Sequence, residues 1–230
     1  MRLFVAIEPP EDAVEHLEDF LAVRRPSGPG LRWSPPGQWH LTLAFMGSAP
    51  DRVVDDVLDA VAAVAARTAP VALAVVGGGC FPDVTRAKVL WAGIEGAGVE
   101  GAAAEGAVVE GDGPEGPVGV DGSEAVGGSA DSPSDVGSGG GAEALGRLAR
   151  GVRTACSVAG ASPEGGPFVP HLTLGRFSRA EDATRWLRLL STYAGPPFVA
   201  SDIAVVASHL PRERGHRARH EVLARLPLGG

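Results

Sequence analysis

The tetrapeptide His-Leu-Thr-Leu occurs twice in this chain of 230 residues, at residues 40–43 and again at residues 171–174. Each copy lies in an apolar run and is followed within three residues by a phenylalanine, Phe45 in the first and Phe177 in the second. From average residue usage, a given tetrapeptide is expected by chance in well under about one chain in a hundred of this length. The repeat therefore predicts two equivalent strands, each presenting one histidine and one threonine.

Both copies have the composition of strands, because residues 39–46 and 169–177 are rich in apolar, aromatic and Thr residues and are flanked by Gly and Pro. Side chains alternate between the two faces of a strand, so the leucines share one face and the histidine and threonine share the other. The leucine faces can pack on helices, whereas the polar faces need solvent, a partner or a ligand. The residues of the polar faces are His40, Thr42, His171 and Thr173.

Two imidazoles and two hydroxyls that meet across one cleft suit a particular chemistry. Histidine titrates near neutral pH, so one copy can act as a base while the other acts as an acid. Threonine hydroxyls can donate hydrogen bonds to anionic oxygens. A phosphodiester fits this set, because it needs a base for the nucleophile, an acid for the leaving oxygen and donors for the remaining oxygens.

On these motifs the chain resembles the two-histidine (2H) phosphoesterases, and among them the bacterial RNA 2′,3′-cyclic phosphodiesterases, also called 2′-5′ RNA ligases. That family is defined by two His-x-Thr/Ser-x motifs with apolar x, and both are present here as HLTL. Further similarity lies in the segments MRLFVAIEPP, LRWSPPGQWHLTLAFMG, CFPDVTRAKVLWAGIE, PFVPHLTLGRF and EVLARLPL. The resemblance covers nearly the whole chain except residues 96–141. One departure is Ala44, where members often carry a basic residue.

The resemblance implies an α+β, bilobal fold, in which two pseudo-symmetric lobes with antiparallel sheets surround a central groove and helices lie outside. It also implies hydrolysis of an RNA 2′,3′-cyclic phosphate end to a 2′-phosphomonoester. In the family pattern His40 is the proton donor and His171 the proton acceptor, whereas spacing alone leaves the two roles interchangeable. Thr42 and Thr173 are expected to hold the phosphoryl oxygens, and Arg176 to contact the phosphate or the anionic transition state.

No metal and no cofactor are expected, because the two histidines already supply both proton transfers and neither tetrad has a Cys or carboxylate beside it. The expected partner is RNA with a 2′,3′-cyclic phosphate end. Three alternatives stay open: 2′-5′ RNA ligation by the same histidines in reverse, another small cyclic phosphodiester as substrate, and a non-catalytic nucleotide- or RNA-binding module. The intact histidines and threonines argue against the last, since phosphate binding alone is better served by Arg or Lys.

The formal net charge of −8 comes from one segment. Residues 96–141 contain nine acidic and no basic residues, and without them 20 basic residues stand against 19 acidic ones, a net of +1. The global acidity is therefore no argument against an RNA substrate. The segment consists of Gly, Ala, Val, Glu, Ser, Asp and Pro, which predicts a disordered, dispensable insertion within one bilobal domain of residues 1–230. The alternative is an acidic element that competes with RNA.

Other features bear on location and assembly. The sequence has no run of about eighteen apolar residues, so no transmembrane helix is expected. The N-terminal residues do not resemble a secretory signal. Cys80 and Cys156 make neither a disulfide framework nor a metal spacing. We therefore expect a cytoplasmic enzyme without a membrane partner, acting as a monomer.

Hydrophobic periodicity and turn residues predict the remaining elements. Helices are expected at residues 10–24, 51–67, 142–158 and 181–193. Strands are expected at residues 3–7, 31–33, 39–46, 71–76, 88–94, 169–177, 198–207 and 219–226. Glycines 77–79 together with Phe81 and Pro82 predict a loop between two of these strands.

Several further residues have two possible roles. The aromatic side chains Trp33, Trp39, Phe45 and Phe81 can stack on the terminal base, but core packing is the favoured interpretation. Arg86 and Lys88, together with the arginines at 212, 214, 217 and 219, are either solvated or contact the RNA backbone. His16 is expected at the surface, and His209, His216 and His220 are interpreted as structural or solvated, because they form no ligand pattern.

Overall fold

The computed structural model describes residues 1–25, 30–97, 139–209 and 218–229, which contain nine strands, four α-helices and three short 3-10 helices. The strands are β1 (Arg2–Ile7), β2 (Leu31–Trp33), β3 (Leu41–Met46), β4 (Val71–Phe81), β5 (Ala87–Gly96), β6 (His171–Glu181), β7 (Ala194–Ala200), β8 (Asp202–His209) and β9 (Arg219–Pro227). The helices are α1 (Glu11–Ala22), α2 (Val54–Ala65), α3 (Gly139–Val158) and α4 (Thr184–Leu190). Residues 98–138, for which the sequence predicts disorder, lie outside the described residues.

All nine strands belong to one antiparallel sheet, in the order β7-β4-β5-β6-β3-β1-β8-β9, with β2 added against β6. The predicted α+β class with antiparallel strands is therefore confirmed. The two lobes do not follow the two halves of the chain, however. Strands β4 and β5 follow the first tetrad in sequence but lie beside the second, whereas β8 and β9 follow the second tetrad and lie in the lobe of the first. Each lobe is thus assembled from both halves.

The lobes join where the two tetrads meet. Leu41 of β3 and Leu172 of β6 pair directly in antiparallel register, and both are the second residue of a tetrad. When equivalent residues face each other in an antiparallel pair, a local two-fold axis passes between them. That axis exchanges His40 with His171 and Thr42 with Thr173, which is the pseudo-symmetry that the repeat predicts.

Each tetrad strand carries a β-bulge at its last leucine. Val5 pairs with Ala44 and Ala6 with Thr42, which leaves Leu43 as an extra residue. Leu90 pairs with Gly175 and Trp91 with Thr173, which leaves Leu174 extra in the same way. Because a bulge adds one residue, the side chains that follow it point to the opposite face of the sheet from the one that simple alternation predicts. Accordingly the small residues Ala44 and Gly175 are buried, and the positions after them, Phe45 and Arg176, are more exposed.

The leucine faces of both tetrads form the main core. All four leucines are at most 1% exposed, and burying each leucine side chain contributes about 1.5–3 kcal/mol to stability. Helix α3 packs on β3, β4 and β5 and also against α2, while α4 packs on β4. The predicted packing of a leucine face against a helix is therefore confirmed for β3, and the leucines of β6 lie in the same core cluster.

A smaller apolar cluster lies apart from this core. It comprises Phe4, Ala6, Ala204 and Val206, with Phe45 packed against it. These residues come from β1, β3 and β8, three adjacent strands of the first lobe. They supply the apolar support for the polar groups of the tetrad in that lobe.

The predicted loop at residues 77–79 is wrong, because β4 runs through these glycines to Phe81. Glycine is needed there for close packing rather than for a turn. A Cβ on Gly79 would come within 2.3 Å of the Trp91 ring, and one on Gly78 within 2.5 Å of the Trp91 carbonyl oxygen. Gly77, with a φ of +61°, lies in the register shift between Val75 and Gly78.

Two further boundaries differ from the prediction. Residues 198–207 form parts of two strands, β7 and β8, which are separated at Ser201. The helix predicted from residue 181 begins only at Thr184, because β6 continues to Glu181 and Asp182 accepts a hydrogen bond from the backbone N–H of Thr184 at 2.8 Å. Such a local side-chain bond favours a turn over a continuing helix at this point.

Candidate active site

The five predicted site residues line one cavity of about 470 Å³ between the two lobes. The lining includes His40 and Thr42 from the first tetrad and His171, Thr173 and Arg176 from the second strand. The two histidine and two threonine side chains of the tetrads are only partly buried, whereas the four leucines are fully buried. The alternation expected from the sequence therefore places the polar groups where a ligand can reach them.

The two histidines are held by the same backbone contact. Nδ1 of His40 lies 2.7 Å from the carbonyl oxygen of Gln38, and Nδ1 of His171 lies 2.7 Å from that of Val169. A carbonyl oxygen can only accept, so Nδ1 must donate its hydrogen in both rings. The contact leaves Nε2 as the nitrogen that can take up or release a proton.

Aromatic rings support each imidazole differently. The ring of His40 stacks on Phe4, with the centroids 4.7 Å apart and the planes 21° from parallel. His171 instead lies edge-on to Phe81, at 5.2 Å and 83°, and is tilted against Trp91 at 5.8 Å. The identical tetrads therefore have unlike surroundings.

The pKa of His40 lies below its ordinary value, chiefly because the ring is buried. The Gln38 carbonyl opposes this shift, since it accepts a hydrogen bond that favours the charged ring. The neighbouring His220 and the more weakly acting His171 lower the pKa further, whereas the carboxylate of Glu8 raises it. Glu8 is itself paired with the guanidinium of Arg225.

The pKa of His171 is also lowered, again mainly by burial. The Val169 carbonyl raises it, and the positive charge of Arg176 lowers it. Thus His40 has a carboxylate nearby, and His171 has a guanidinium. The two rings thus differ in the charged side chains beside them, although the pKa of both is lowered.

The bulges bring Phe45 and Arg176 to the cavity. Each stands five positions after the first residue of its tetrad and lines the cavity beside the threonine. Ala44 is 3% exposed and belongs to the main core, so this departure from the family pattern lies outside the cavity lining.

His220, interpreted from sequence as structural or solvated, lies in the site. Its ring centroid is 5.7 Å from that of His40 and 5.0 Å from that of Phe4. It arrives there because β9 pairs with β8 and β8 with β1. No local pattern in the sequence indicates these long-range pairings, so sequence reasoning missed this residue. By contrast, His209 is exposed and faces Glu221 at 3.0 Å.

The remaining predicted residues lie outside the cavity or in the core. Trp39 is buried, and Trp33 packs edge-on against Trp186 with the centroids 5.3 Å apart, as the core interpretation predicts. Arg86 is exposed and pairs with Asp83. His16 is hydrogen-bonded to the hydroxyl of Tyr193. His216 and the arginines at 212, 214 and 217 lie outside the described residues.

The described part of the chain contains no recognisable metal site. No three His, Cys, Asp or Glu side chains of these residues are clustered so that they could hold a metal ion. Cys80 and Cys156 are both free thiols. None of the described helices combines the length and the apolar character that a membrane span requires.

A curved antiparallel sheet that brings two histidine–threonine pairs to one groove defines a two-histidine phosphoesterase. The chain belongs to the family described as LigT like Phosphoesterase, whose model matches residues 7–91 and 136–215. The unmatched interval between the two ranges coincides with most of the acidic insertion.

Individual relatives agree with this assignment. The chain is 26% identical over 232 aligned residues to an RNA 2′,3′-cyclic phosphodiesterase of Geobacillus stearothermophilus, covering 99% of this chain and 57% of that relative. The chain thus spans little more than half the length of this curated relative.

Solved structures share the fold. The protein TT0787 of Thermus thermophilus superposes with a TM-score of 0.64 at 24% identity, covering 100% of this chain and 99% of that one. E. coli LigT complexed with 3′-AMP superposes with a TM-score of 0.60 at 21% identity, covering 99% and 97%.

Proposed function

We propose that this phosphoesterase hydrolyses the 2′,3′-cyclic phosphate at an RNA 3′ end to a 2′-phosphomonoester. Water attacks phosphorus and loses a proton to His171. The bond from phosphorus to the 3′ oxygen breaks, and that oxygen receives a proton from His40. The products are a 2′-phosphate and a free 3′ hydroxyl, and one further proton exchange with water restores both imidazoles.

The observation that carries this proposal is the matched anchoring of the two histidines in one cavity. Each Nδ1 is occupied by a backbone carbonyl at 2.7 Å, so each ring offers only Nε2 for proton transfer. Two such nitrogens around one cavity supply an acid and a base at the same time. A site that only binds phosphate has no need of this arrangement.

The assignment of His40 as acid and His171 as base rests on the family pattern and on their neighbours. The stacked ring of Phe4 and the carboxylate of Glu8 favour an imidazolium at position 40, whereas burial and the charge of His220 oppose it. Arg176 disfavours an imidazolium at position 171. The pKa of both rings is lowered by burial, so the family pattern, in which the first histidine is the donor, makes the assignment, and the carboxylate beside His40 and the guanidinium beside His171 support it.

Thr42, Thr173 and Arg176 are proposed to hold the non-bridging oxygens. Their side chains line the same cavity as the two imidazoles. Hydroxyl and guanidinium donors that are fixed before the reaction stabilise the negative charge that develops on phosphorus-bound oxygens. The RNA substrate is supported by the name of the Geobacillus stearothermophilus relative, an RNA 2′,3′-cyclic phosphodiesterase.

The test is hydrolysis of a short RNA that ends in a 2′,3′-cyclic phosphate, with EDTA present, for the wild type, His40→Ala and His209→Ala. His209 is the matched control, because it is an exposed histidine paired with Glu221 away from the cavity. A 2′-phosphate product that depends on His40 and not on His209 supports the proposal. Binding without turnover in the wild type would instead favour a binding module or another cyclic substrate.

A further inference from the structure

A second depression of about 260 Å³ continues from the catalytic cavity. The two share five lining residues: Ser34, Gln38, Arg176, Ala218 and His220. The second depression adds Arg32, Trp33 and Pro35. It is therefore a polar and cationic extension of the groove, and a ligand in the cavity can reach it without leaving the protein surface.

The distinguishing feature of this extension is a pair of like charges. Arg32 of β2 and Arg176 of β6 are direct partners in the antiparallel register. Like charges placed directly opposite each other on neighbouring strands are destabilising. Within the described part of the chain, no carboxylate lies within 4.0 Å of either guanidinium to offset the repulsion.

The position of Arg32 is fixed by its neighbours. Leu31 is 5% exposed, and Trp33 packs partly buried against the core, so the exposed Arg32 between them is on the opposite face of the three-residue strand. This face borders the groove. Two guanidiniums that are held in register beside an active cavity, and that pair with no carboxylate of the described residues, suit an anionic ligand. Planar guanidinium groups match phosphate oxygens particularly well.

We propose that Arg32, together with His220, binds the phosphate on the 5′ oxygen of the terminal nucleoside, while Arg176, which lines both depressions, stays with the cyclic phosphate. This inference rests on the proposed function, because the terminal cyclic phosphate must occupy the neighbouring cavity. In an RNA chain the next phosphate is attached through that 5′ oxygen. The protein then recognises a terminal nucleotide with phosphates on both sides of its ribose, and it discriminates against a cyclic nucleoside phosphate that lacks the second one.

The experiment compares three substrates: adenosine 2′,3′-cyclic phosphate, its 5′-phosphorylated form, and the dinucleotide ApA that ends in a 2′,3′-cyclic phosphate. For each enzyme the selectivity is the kcat/KM of a 5′-substituted substrate divided by that of the plain nucleoside cyclic phosphate. In Arg32→Gln we expect this ratio to fall about tenfold, since a hydrogen bond to a charged group contributes on this scale. Arg32→Lys, which keeps the charge, is expected to retain part of the selectivity.

Arg179→Gln is the matched control, because Arg179 is exposed on the same strand as Arg176 but lines neither depression. A loss of selectivity for both 5′-substituted substrates indicates that either form of phosphate is recognised. A loss for the 5′-phosphomonoester alone assigns the site to a terminal 5′-phosphate. An unchanged ratio in Arg32→Gln, whatever the absolute rates, would overturn the inference.

If the wild type cleaves none of the three substrates, the proposed function is wrong, but the phosphate site is not yet tested. Titration calorimetry with 5′-AMP and with adenosine then tests the phosphate site by itself. Tighter binding of 5′-AMP that is lost in Arg32→Gln supports the site without the reaction. Equal affinities of the wild type for the two ligands count against it.

Discussion

His40 and His171 donate the same hydrogen bond from the same ring nitrogen, each to the carbonyl oxygen two residues earlier and each at 2.7 Å. The repeated tetrapeptide is thus repeated in geometry as well as in sequence. What differs is the environment: Phe4, Glu8 and His220 act on one ring, and Phe81, Trp91 and Arg176 act on the other. Two identical motifs can therefore perform two different proton transfers.

Replacing either histidine should abolish most of the activity. We expect His40→Ala and His171→Ala each to lower kcat by about a hundredfold or more, because each removes one of the two proton transfers. The measurement is hydrolysis of the cyclic phosphate end, together with thermal unfolding to verify that each variant is folded. Near-normal turnover in either variant would contradict the mechanism.

Of the two tetrad histidines, Glu8 should influence the proposed acid. Its carboxylate raises the pKa of His40, which has to be protonated in the proposed mechanism. In Glu8→Gln that pKa falls, so the alkaline limb of the kcat/KM profile should move to lower pH while the acid limb stays in place. Asp202→Asn is the control, because Asp202 is the other carboxylate that pairs with Arg225. A shift of equal size in both variants would show that Arg225, rather than Glu8, is responsible.

Arg176 should influence the proposed base. Its charge lowers the pKa of His171, which has to be neutral to accept a proton in the proposed mechanism. In Arg176→Gln that pKa rises, and the acid limb of the kcat/KM profile should move to higher pH, alongside a lower maximal rate from the lost phosphate contact. The pH profile distinguishes this from a purely binding effect, which would lower kcat/KM equally at every pH.

The junction between the lobes should be sensitive to a loss of volume. Leu172 is 1% exposed and pairs with Leu41 at the local two-fold axis. Leu172→Ala should lower the free energy of unfolding by about 2 to 5 kcal/mol, because it leaves a cavity in the main core. Val222→Ala, at a strand position that is 44% exposed, should change it by no more than about 0.5 kcal/mol. Denaturant unfolding measures both, and equal effects would contradict the assigned burial.

The acidic insertion can be tested by deletion. A Cβ on Gly141 would come within 2.7 Å of the Cα of Gly96, so the chain segments on either side of the insertion are adjacent. Replacing residues 98–138 by a short Gly-Ser linker should preserve the fold and leave kcat/KM for RNA within about twofold, since loop length has little effect on stability. An increase in kcat/KM that disappears at high salt would instead favour the hypothesis that the nine acidic residues compete with RNA.

Local patterns predicted a large part of the secondary structure. The expected strands at 3–7, 31–33 and 219–226 differ from β1, β2 and β9 by no more than one residue at either end. Predictions failed where distant residues decide. Gly78 and Gly79 lie in a strand because Trp91 and Leu190 fill the space beside them, whereas a run of glycines taken alone predicts a loop.

The sequence by itself determined the chemistry of the groove: two histidines and two threonines on the polar faces of two equivalent strands, with leucines opposite. That information is local, because alternation along a strand requires no knowledge of its neighbours. Only the tertiary structure decided that each lobe combines strands from both halves of the chain, that a bulge brings Arg176 to the cavity, and that Arg32 and His220 lie beside it. These outcomes depend on pairings between residues far apart in the chain, which packing of the whole sheet selects.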